Sequence, residues 1–206
     1  MFNDLYIQFT TIAMLHLFAV MSPGPDFALI IRQSITHGRL AAISTSIGIG
    51  TGILFHIFGC IIGLGYIISQ YNIVFLFIKM TGGIYLIFLG YKSIKNKSKI
   101  KIKDKKNHIK QSFIKSFIIG LITNILNPKA TLFFLSLYLF IINNQPDTII
   151  QIFYGVWMST ITTIWFIILS IALTNKQLTH YINKFSFYAQ NATGILLIIV
   201  GIRLLI

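Results

Sequence analysis

The sequence has 206 residues, of which 55% are apolar and only 10% are charged, and its formal net charge at pH 7 is +13. A soluble domain carries about 25% charged residues, so this composition excludes a soluble globular fold and indicates an integral membrane protein. The single cysteine, Cys60, excludes an intramolecular disulfide. No Cys/His spacing typical of a metal site occurs, so we expect neither a metal nor another cofactor.

Six apolar stretches have the length of about 20 residues that is needed to cross a hydrocarbon core of about 30 Å. They lie near residues 5–31, 40–68, 72–91, 113–142, 148–173 and 185–206. Their apolar runs are continuous rather than alternating with polar residues, which favours helices over the strands of a barrel. We therefore predict one all-α integral membrane domain, residues 1–206, with six transmembrane helices.

Positive charge is concentrated between the third and fourth stretches, where residues 92–115 contain ten lysines and one acid, Asp104. Cytoplasmic loops carry an excess of lysine and arginine, so this loop is expected in the cytoplasm. The basic turns at Arg39 and Lys176 then lie on the same side, and both termini face outward.

The net charge also invites a nucleic-acid interpretation, because basic surfaces bind phosphate backbones. Such sites interleave aromatic residues or form a folded motif, and neither occurs here. We interpret the lysines as a topological anchor that also contacts anionic membrane lipid, and we expect no nucleic-acid partner.

Prolines interrupt the first and the fourth stretch. The first contains Ser22-Pro23-Gly24-Pro25-Asp26 and the fourth contains Asn127-Pro128-Lys129. Proline lacks the amide that a helix interior requires, so both helices should break and leave backbone groups for neighbours, water or substrate. Broken helices at membrane depth usually line a cavity, and a packing kink is the alternative, above all at Pro128.

Asp26 and Lys129 each follow the proline of a break. A charge that faces lipid at the bilayer centre costs about 2.5–3.5 kcal/mol, so neither residue should do so. A mutual salt bridge or a snorkelling position is one explanation, and contact with an ion, a proton or a substrate is the other. Burial favours a neutral carboxylate and a nearby lysine favours an ionised one, so the protonation of Asp26 stays open.

The two charged residues are 103 positions apart, and the same offset matches Pro25 to Pro128 and the first three spans to the last three. A duplicated unit of three spans enters the membrane upside down, and inverted repeats place broken helices around a central site. We predict repeats over about 1–91 and 113–206, a basic loop over about 92–112, and both breaks at one cavity. A carboxylate and an ammonium there would match an amino-acid zwitterion.

Glycines four positions apart in the second span, at Gly48 and Gly52 and at Gly59 and Gly63, predict close helix packing.

Other polar residues lie within the apolar stretches. His16 and His56 are interpreted as hydrogen-bonded interior residues, with a proton relay as the alternative. Tyr85, Asn124 and Asn127 are candidates for hydrogen bonds in the cavity, and Asn127 alternatively caps the half-helix that begins at Pro128.

Several of these motifs, in this order and nearly from end to end, resemble the LysE/RhtB amino-acid exporters. They are Ser22–Phe27, Arg39, the glycines at 48, 50 and 52, Gly82–Leu86, Gly90 and Asn124–Ala130.

The resemblance implies export of amino acids such as homoserine, threonine or lysine across a bacterial inner membrane, driven by the proton gradient. It implies a substrate and proton pathway at the matching positions, Ser22, Pro23, Gly24, Pro25, Asp26, Asn124, Asn127, Pro128 and Lys129.

Other classes of protein are tested against the same residues. The chain has no glutamate and one cysteine, so acid and base pairs or a metal triad are hard to assemble and we expect no enzyme. A transporter of another small solute, a channel and a scaffold stay open as alternatives, as does a homo-oligomer. Uphill transport would separate a coupled carrier from a channel.

Overall fold

The computed structural model describes residues 2–95, 109–142, 147–173 and 179–206. Over these residues the chain forms eight helices and no strand, so the predicted all-α class is confirmed. The helices are α1 (Phe2–Met21), α2 (Pro25–Thr36), α3 (Arg39–Gln70), α4 (Asn72–Lys95), α5 (Phe113–Ile125), α6 (Pro128–Ile142), α7 (Thr148–Leu173) and α8 (Thr179–Leu205).

The helices correspond to the predicted spans. Among the described residues, α3, α4 and α7 are each long and apolar enough to cross a membrane alone. The pairs α1–α2 and α5–α6 meet the same criterion together, and each pair is bent at a short break, by 50° and 57° respectively. With α8, whose apolar part is Gly194–Leu205, the chain has about six spans, as predicted.

The predicted basic loop is only partly described. Residues 96–108 lie outside the described part of the chain, as do residues 143–146 and Lys176. At the two ends of the loop, Lys92, Lys95, Lys110 and Lys115 are described and exposed. The turn between α2 and α3 is made by Gly38, whose φ of 86° favours glycine.

The surface of the bundle is apolar and much of its interior is polar, which is the pattern of a protein dissolved in lipid. Ile73 and Ile149 are about four-fifths exposed, at 82% and 80%. Ser44, Thr45 and Ser46 are fully buried in α3. Buried polar side chains need hydrogen-bond partners, and neighbouring helices supply them.

Small residues let α3 approach the backbone of α5. The Thr45 hydroxyl donates to the carbonyl oxygen of Ser116 at 3.1 Å, and the Ser44 hydroxyl donates to that of Phe113 at 2.5 Å. A Cβ built at Gly48 would lie 2.9 Å from the amide nitrogen of Leu121. The prediction of close packing at Gly48 is therefore confirmed.

The helices α4 and α8 also meet through glycines. A Cβ at Gly90 would lie 2.5 Å from the carbonyl oxygen of Gly194, and a Cβ at Gly194 would lie 2.7 Å from that of Gly90. Two helical turns away, Gly83 and Gly201 face each other in the same way. This series of glycines sets the distance between the two helices.

The second predicted glycine pair in α3 behaves differently. A Cβ built at Gly59 or Gly63 would meet no described atom within 4 Å. The prediction of close packing at this pair is wrong for the described chain. Spacing alone cannot say which side of a helix faces a neighbour, because the rotation of the helix is fixed by contacts elsewhere along it.

These glycines give a matched test of helix packing. We expect Gly90→Ala and Gly194→Ala to destabilise the detergent-solubilised protein by about 1–3 kcal/mol, because the added methyl group forces α4 and α8 apart. The control changes Gly59→Ala and Gly63→Ala should be neutral or mildly stabilising, since alanine is the better helix former and has free space there. Thermal unfolding of the four variants checks this expectation. Equal stability in all four would contradict the glycine contact.

Candidate substrate site at the two helix breaks

The first break is built from Ser22 to Pro25. The helix α1 ends at Met21, Gly24 is the extended N-cap residue of α2, and Pro25 takes the first helical position. Proline is tolerated there because the first amides of a helix have no helical acceptor. The chain thus ends one helix and starts the next within three residues, and Asp26 lies in the first turn of α2.

The second break follows the same local chemistry. The helix α5 ends at Ile125 and Pro128 begins α6. The Oδ1 atom of Asn127 accepts a hydrogen bond from the amide of Lys129 at 3.0 Å, so Asn127 caps α6, as the sequence suggested. The Nδ2 group of Asn127 stays available for another partner.

The carboxylate of Asp26 joins the two breaks. Its Oδ2 atom accepts hydrogen bonds from Nδ2 of Asn124 at 2.9 Å and from Nδ2 of Asn127 at 3.0 Å. An acidic side chain of the first span is therefore held by two amides of the fourth. The predicted convergence of the two breaks is confirmed by these contacts.

The ammonium group of Lys129 makes the reciprocal connection. It donates to the carbonyl oxygen of Ser22 at 3.2 Å and to that of Ala19 at 3.5 Å, at the end of α1. The Ala19 carbonyl also accepts from the backbone amide of Ser22 at 3.3 Å. A positive charge at a helix C-terminus is favourable. The hydrogen bonds of Asp26 and Lys129 thus go to different partners, which differs from the mutual salt bridge that the sequence left open.

A cavity borders this group of residues. The volume that the centre of a water molecule can occupy in it is about 50 Å³. One bound water needs roughly 10–15 Å³ by the same measure, so the cavity can hold several. Its polar lining includes Ser22, Asp26, Asn124 and Lys129. Its apolar wall is formed by Ile53, Ala130, Phe27, Phe133, Phe134 and Phe166. We call this the smaller cavity.

A larger cavity of about 290 Å³ also borders the first break. It shares Ser22, Gly24, Asn127 and Lys129 with the smaller one, and it extends to Lys92 and Ser93 near the end of α4. Its further lining residues include Pro23, Pro25, Tyr85 and Pro128. The Lys129 side chain crosses Gly24 between the cavities, because a Cβ at Gly24 would lie 3.3 Å from both Cδ and Nζ of Lys129.

Three buried polar atoms around the smaller cavity have no hydrogen-bond partner among the described residues. They are Oδ1 of Asp26, Oδ1 of Asn124 and Nδ1 of His16. A buried polar group without a partner costs about 1–3 kcal/mol, and several of them around one cavity indicate a place for a polar ligand.

The two histidines have separate environments. The Nε2 group of His56 donates to the carbonyl oxygen of Asn124 at 3.0 Å, because a carbonyl can only accept, and its ring stacks on Phe134. The Nε2 atom of His16 lies 3.1 Å from the hydroxyl of Thr162. Both are hydrogen-bonded interior residues, as the sequence analysis preferred.

All nine predicted site residues come together at the breaks and line one or both cavities. Lining residues that the sequence analysis missed include Phe133, Thr162 and Phe166. Thr162 and Phe166 lie on α7, more than 130 positions after Asp26, and no local motif marks them. A signal could only have come from the helical spacing of α7, on which Met158, Thr162, Phe166 and Leu169 form one buried face.

Comparison with known proteins agrees with this architecture. Residues 17–206 match the family model described as LysE type translocator. The chain belongs to this family. It is therefore a multi-pass membrane transporter and not an enzyme.

Curated relatives of this LysE type translocator cover nearly its whole length. A threonine efflux protein of Escherichia coli K12 is 28% identical over 203 residues, which are 96% of this chain and 97% of the relative. The uncharacterized membrane protein YrhP of Bacillus subtilis is 30% identical over 192 residues, with 89% and 91% covered. A threonine efflux protein of Salmonella typhi is 27% identical, with 96% and 97% covered. No solved structure matches the chain.

The contact between Asn127 and Asp26 can be tested by exchanging their side chains. Asn127→Asp keeps a helix cap but places a carboxylate where a donor now lies 3.0 Å from Asp26, so it should destabilise the translocator more than Asn127→Ser. The double change Asp26→Asn with Asn127→Asp restores an amide beside a carboxylate. We expect it to recover about 1–3 kcal/mol relative to the sum of the single changes.

Thermal unfolding in detergent of the wild type, the two single variants Asp26→Asn and Asn127→Asp, and the double variant measures this coupling, and Asn127→Ser is measured beside them. Additive destabilisation in the double variant would show that the two side chains do not interact.

Proposed function

We propose that this translocator exports small amino acids with uncharged side chains from the cytoplasm. The observation that carries the proposal is the placement of Asp26 and Lys129 beside one cavity, each held by separate partners. The free Oδ1 of Asp26 can accept hydrogen bonds from a substrate ammonium group. The Lys129 ammonium can bind the substrate carboxylate, and together the two groups match a zwitterion.

The lining of the smaller cavity supports an uncharged side chain. Four phenylalanines face the cavity, and Asp26 is the one carboxylate among its lining residues. If Asp26 binds the α-ammonium of a substrate, a second ammonium, as in lysine, would enter an apolar space without a counter-ion. The threonine efflux proteins among the relatives also favour a small neutral substrate.

We assign the coupling to protons through Asp26. One proton that enters down about 100 mV supplies about 2.3 kcal/mol, enough for a gradient of about fifty-fold in a zwitterion of no net charge. Protonation of Asp26 would remove the charge that binds the substrate ammonium, while leaving Lys129 in place. Binding of a proton and of the substrate ammonium at one carboxylate would thus compete, as an antiporter requires.

Two inverted repeats would supply the movement. In that arrangement a helix that lies near the twofold axis meets its counterpart from the other repeat in antiparallel orientation. The crossing of α4 and α8 at Gly90 and Gly194 supports this, because these residues are 104 positions apart, close to the offset of 103 between Asp26 and Lys129. Rocking of one repeat against the other would open the site to each side in turn.

The orientation follows from charge. The exposed lysines 92, 95, 110 and 115 mark the end of the bundle that should lie in the cytoplasm of a bacterial cell, with both termini outside. The larger cavity, which reaches Lys92 and Ser93, then opens toward the cytoplasm and would be the entrance for substrate.

Efflux from loaded cells tests the function. Cells that express the wild type are loaded with dipeptides of threonine, homoserine or lysine, and the released amino acids are followed with and without an uncoupler. We expect uphill, uncoupler-sensitive efflux of threonine or homoserine, none of lysine, and at least a tenfold loss in Asp26→Asn. The exposed acid Asp147 provides the matched control, and Asp147→Asn should transport normally.

The alternatives have their own outcomes. Release that stops when the concentrations on the two sides are equal would indicate a channel. Absence of efflux for all three amino acids, with the protein present in the membrane, would favour another solute or a scaffold. Equal transport by Asp26→Asn and the wild type would remove Asp26 from the pathway.

Cysteine labelling tests the orientation. In a Cys60→Ala background, we expect a membrane-impermeant maleimide to label Tyr71→Cys in intact cells, because Tyr71 lies in the exposed turn between α3 and α4. Lys110→Cys, in the basic segment, should react only after permeabilisation. The reverse pattern would invert the proposed topology.

A further inference from the structure

The smaller cavity is also lined by a polar pair from α1 and α7, in addition to the charged groups at the two breaks. His16 and Thr162 both line the cavity, and the exposed fractions of their side chains are 0% and 1%. The Nε2 atom of His16 lies 3.1 Å from the Thr162 hydroxyl. The Nδ1 atom of His16 is buried and has no partner among the described residues.

The surroundings of His16 leave Nδ1 as a group for a ligand. The centroid of its ring lies 6.5 Å from that of Phe133, 6.0 Å from that of Phe134 and 6.0 Å from that of Trp157. None of these three contacts is a hydrogen bond to Nδ1. A buried polar atom that lines a cavity and lacks a partner is expected to meet a polar group that enters the cavity.

The position of His16 places it at a fixed distance from the charged groups. His16 is five residues before Met21, where α1 ends, which is about 8 Å along the helix axis. Lys129 donates to carbonyl groups at that end of α1, and Asp26 lies in the first turn of the next helix. The lining of the cavity therefore combines charged groups, apolar rings and a neutral polar pair.

We propose that His16 determines side-chain specificity, because its Nδ1 atom hydrogen-bonds a polar group on the side chain of the transported amino acid. The inference rests on the proposed function, in which the α-ammonium and α-carboxylate groups lie at Asp26 and Lys129. The substrate class is then the amino acids whose short side chain carries a hydroxyl group. Aliphatic amino acids of the same size fill the space but leave Nδ1 unpaired.

Threonine and valine are the matched probes, because they have nearly the same shape and differ by a hydroxyl against a methyl group. A neutral hydrogen bond in this site corresponds to about a threefold to tenfold preference for threonine. The wild type should show this preference.

Two substitutions separate the two nitrogens of His16. In His16→Asn the amide group is bonded to Cγ, as Nδ1 is, so it can replace Nδ1 but cannot reach Thr162. In His16→Gln the amide extends one atom further, as Nε2 does, so it can keep the Thr162 contact but lacks a group at the place of Nδ1. A recognition role and a purely structural role therefore predict opposite effects.

Counterflow in proteoliposomes measures the preference. Purified full-length protein is reconstituted, the vesicles are loaded with unlabelled threonine, and the uptake of labelled threonine is competed with unlabelled threonine or valine. In the wild type we expect a preference for threonine over valine of about three- to tenfold, and in His16→Gln we expect it to fall to about one, while valine still competes with labelled threonine. His16→Asn should keep most of the preference. Thermal unfolding confirms that both variants are folded.

Several outcomes would overturn the proposal. Equal competition by threonine and valine in the wild type would do so without any variant. Loss of the preference in His16→Asn but not in His16→Gln would assign the effect to the Thr162 contact. An unchanged preference in both variants would reject the role of His16 while leaving the proposed function intact. Absence of threonine counterflow in the wild type would reject both.

Discussion

The pair of hydrogen bonds from Asn124 and Asn127 to the Asp26 carboxylate is the contact on which the rest of the site depends. A carboxylate inside a membrane must find donors within the protein, and the first break offers few, because its prolines have no amide hydrogen. The second break supplies two side-chain amides. The two breaks lie at about the same depth. The helix α2 has 12 residues and α5 has 13, so they extend about 18 and 20 Å from the same end of the bundle.

The packing of small residues makes that contact possible. A Cβ at Gly52 would lie 2.6 Å from Oδ1 of Asn124, so a larger residue in α3 would displace the amide that binds Asp26. The hydroxyl groups of Ser44 and Thr45 in α3 donate to backbone carbonyls of α5 and so fix the position of α5 along α3. The site therefore depends on helix packing, because the residues that bring α3 and α5 together also position Asn124.

The features that the sequence predicts are those decided by local chemistry. Proline has no amide hydrogen wherever it occurs, so Pro25 and Pro128 mark helix starts before any neighbour is known. A charged side chain that follows a break inside the membrane needs partners from another span. The contact of Asp26 with the fourth span was therefore predictable. The partners were not, because a mutual salt bridge and two separate sets of hydrogen bonds satisfy the same charges.

Features that depend on helix rotation were beyond the sequence. Gly48 and Gly59 have the same spacing to their partner glycines, yet one meets the backbone of α5 and the other meets no described atom. His16 is recognisable as an interior residue, but its pairing with Thr162 requires that α1 and α7 present these faces to each other. Such contacts join residues far apart in the chain, and the sequence around one residue does not identify its distant partner.

The two charged groups differ in the contacts that they already make within the protein. Asp26 holds the breaks together through Oδ2, and its Oδ1 has no partner among the described residues, so an ammonium group can bind without breaking an existing contact. The Lys129 ammonium already donates to two carbonyl groups at the end of α1, and its third N–H group is the donor for a substrate carboxylate. A substrate whose ammonium binds Asp26 and whose carboxylate binds Lys129 would thus connect α2 to α6 without breaking the contacts that hold the two breaks. In the proposed cycle, therefore, occupancy would strengthen the contact between the breaks.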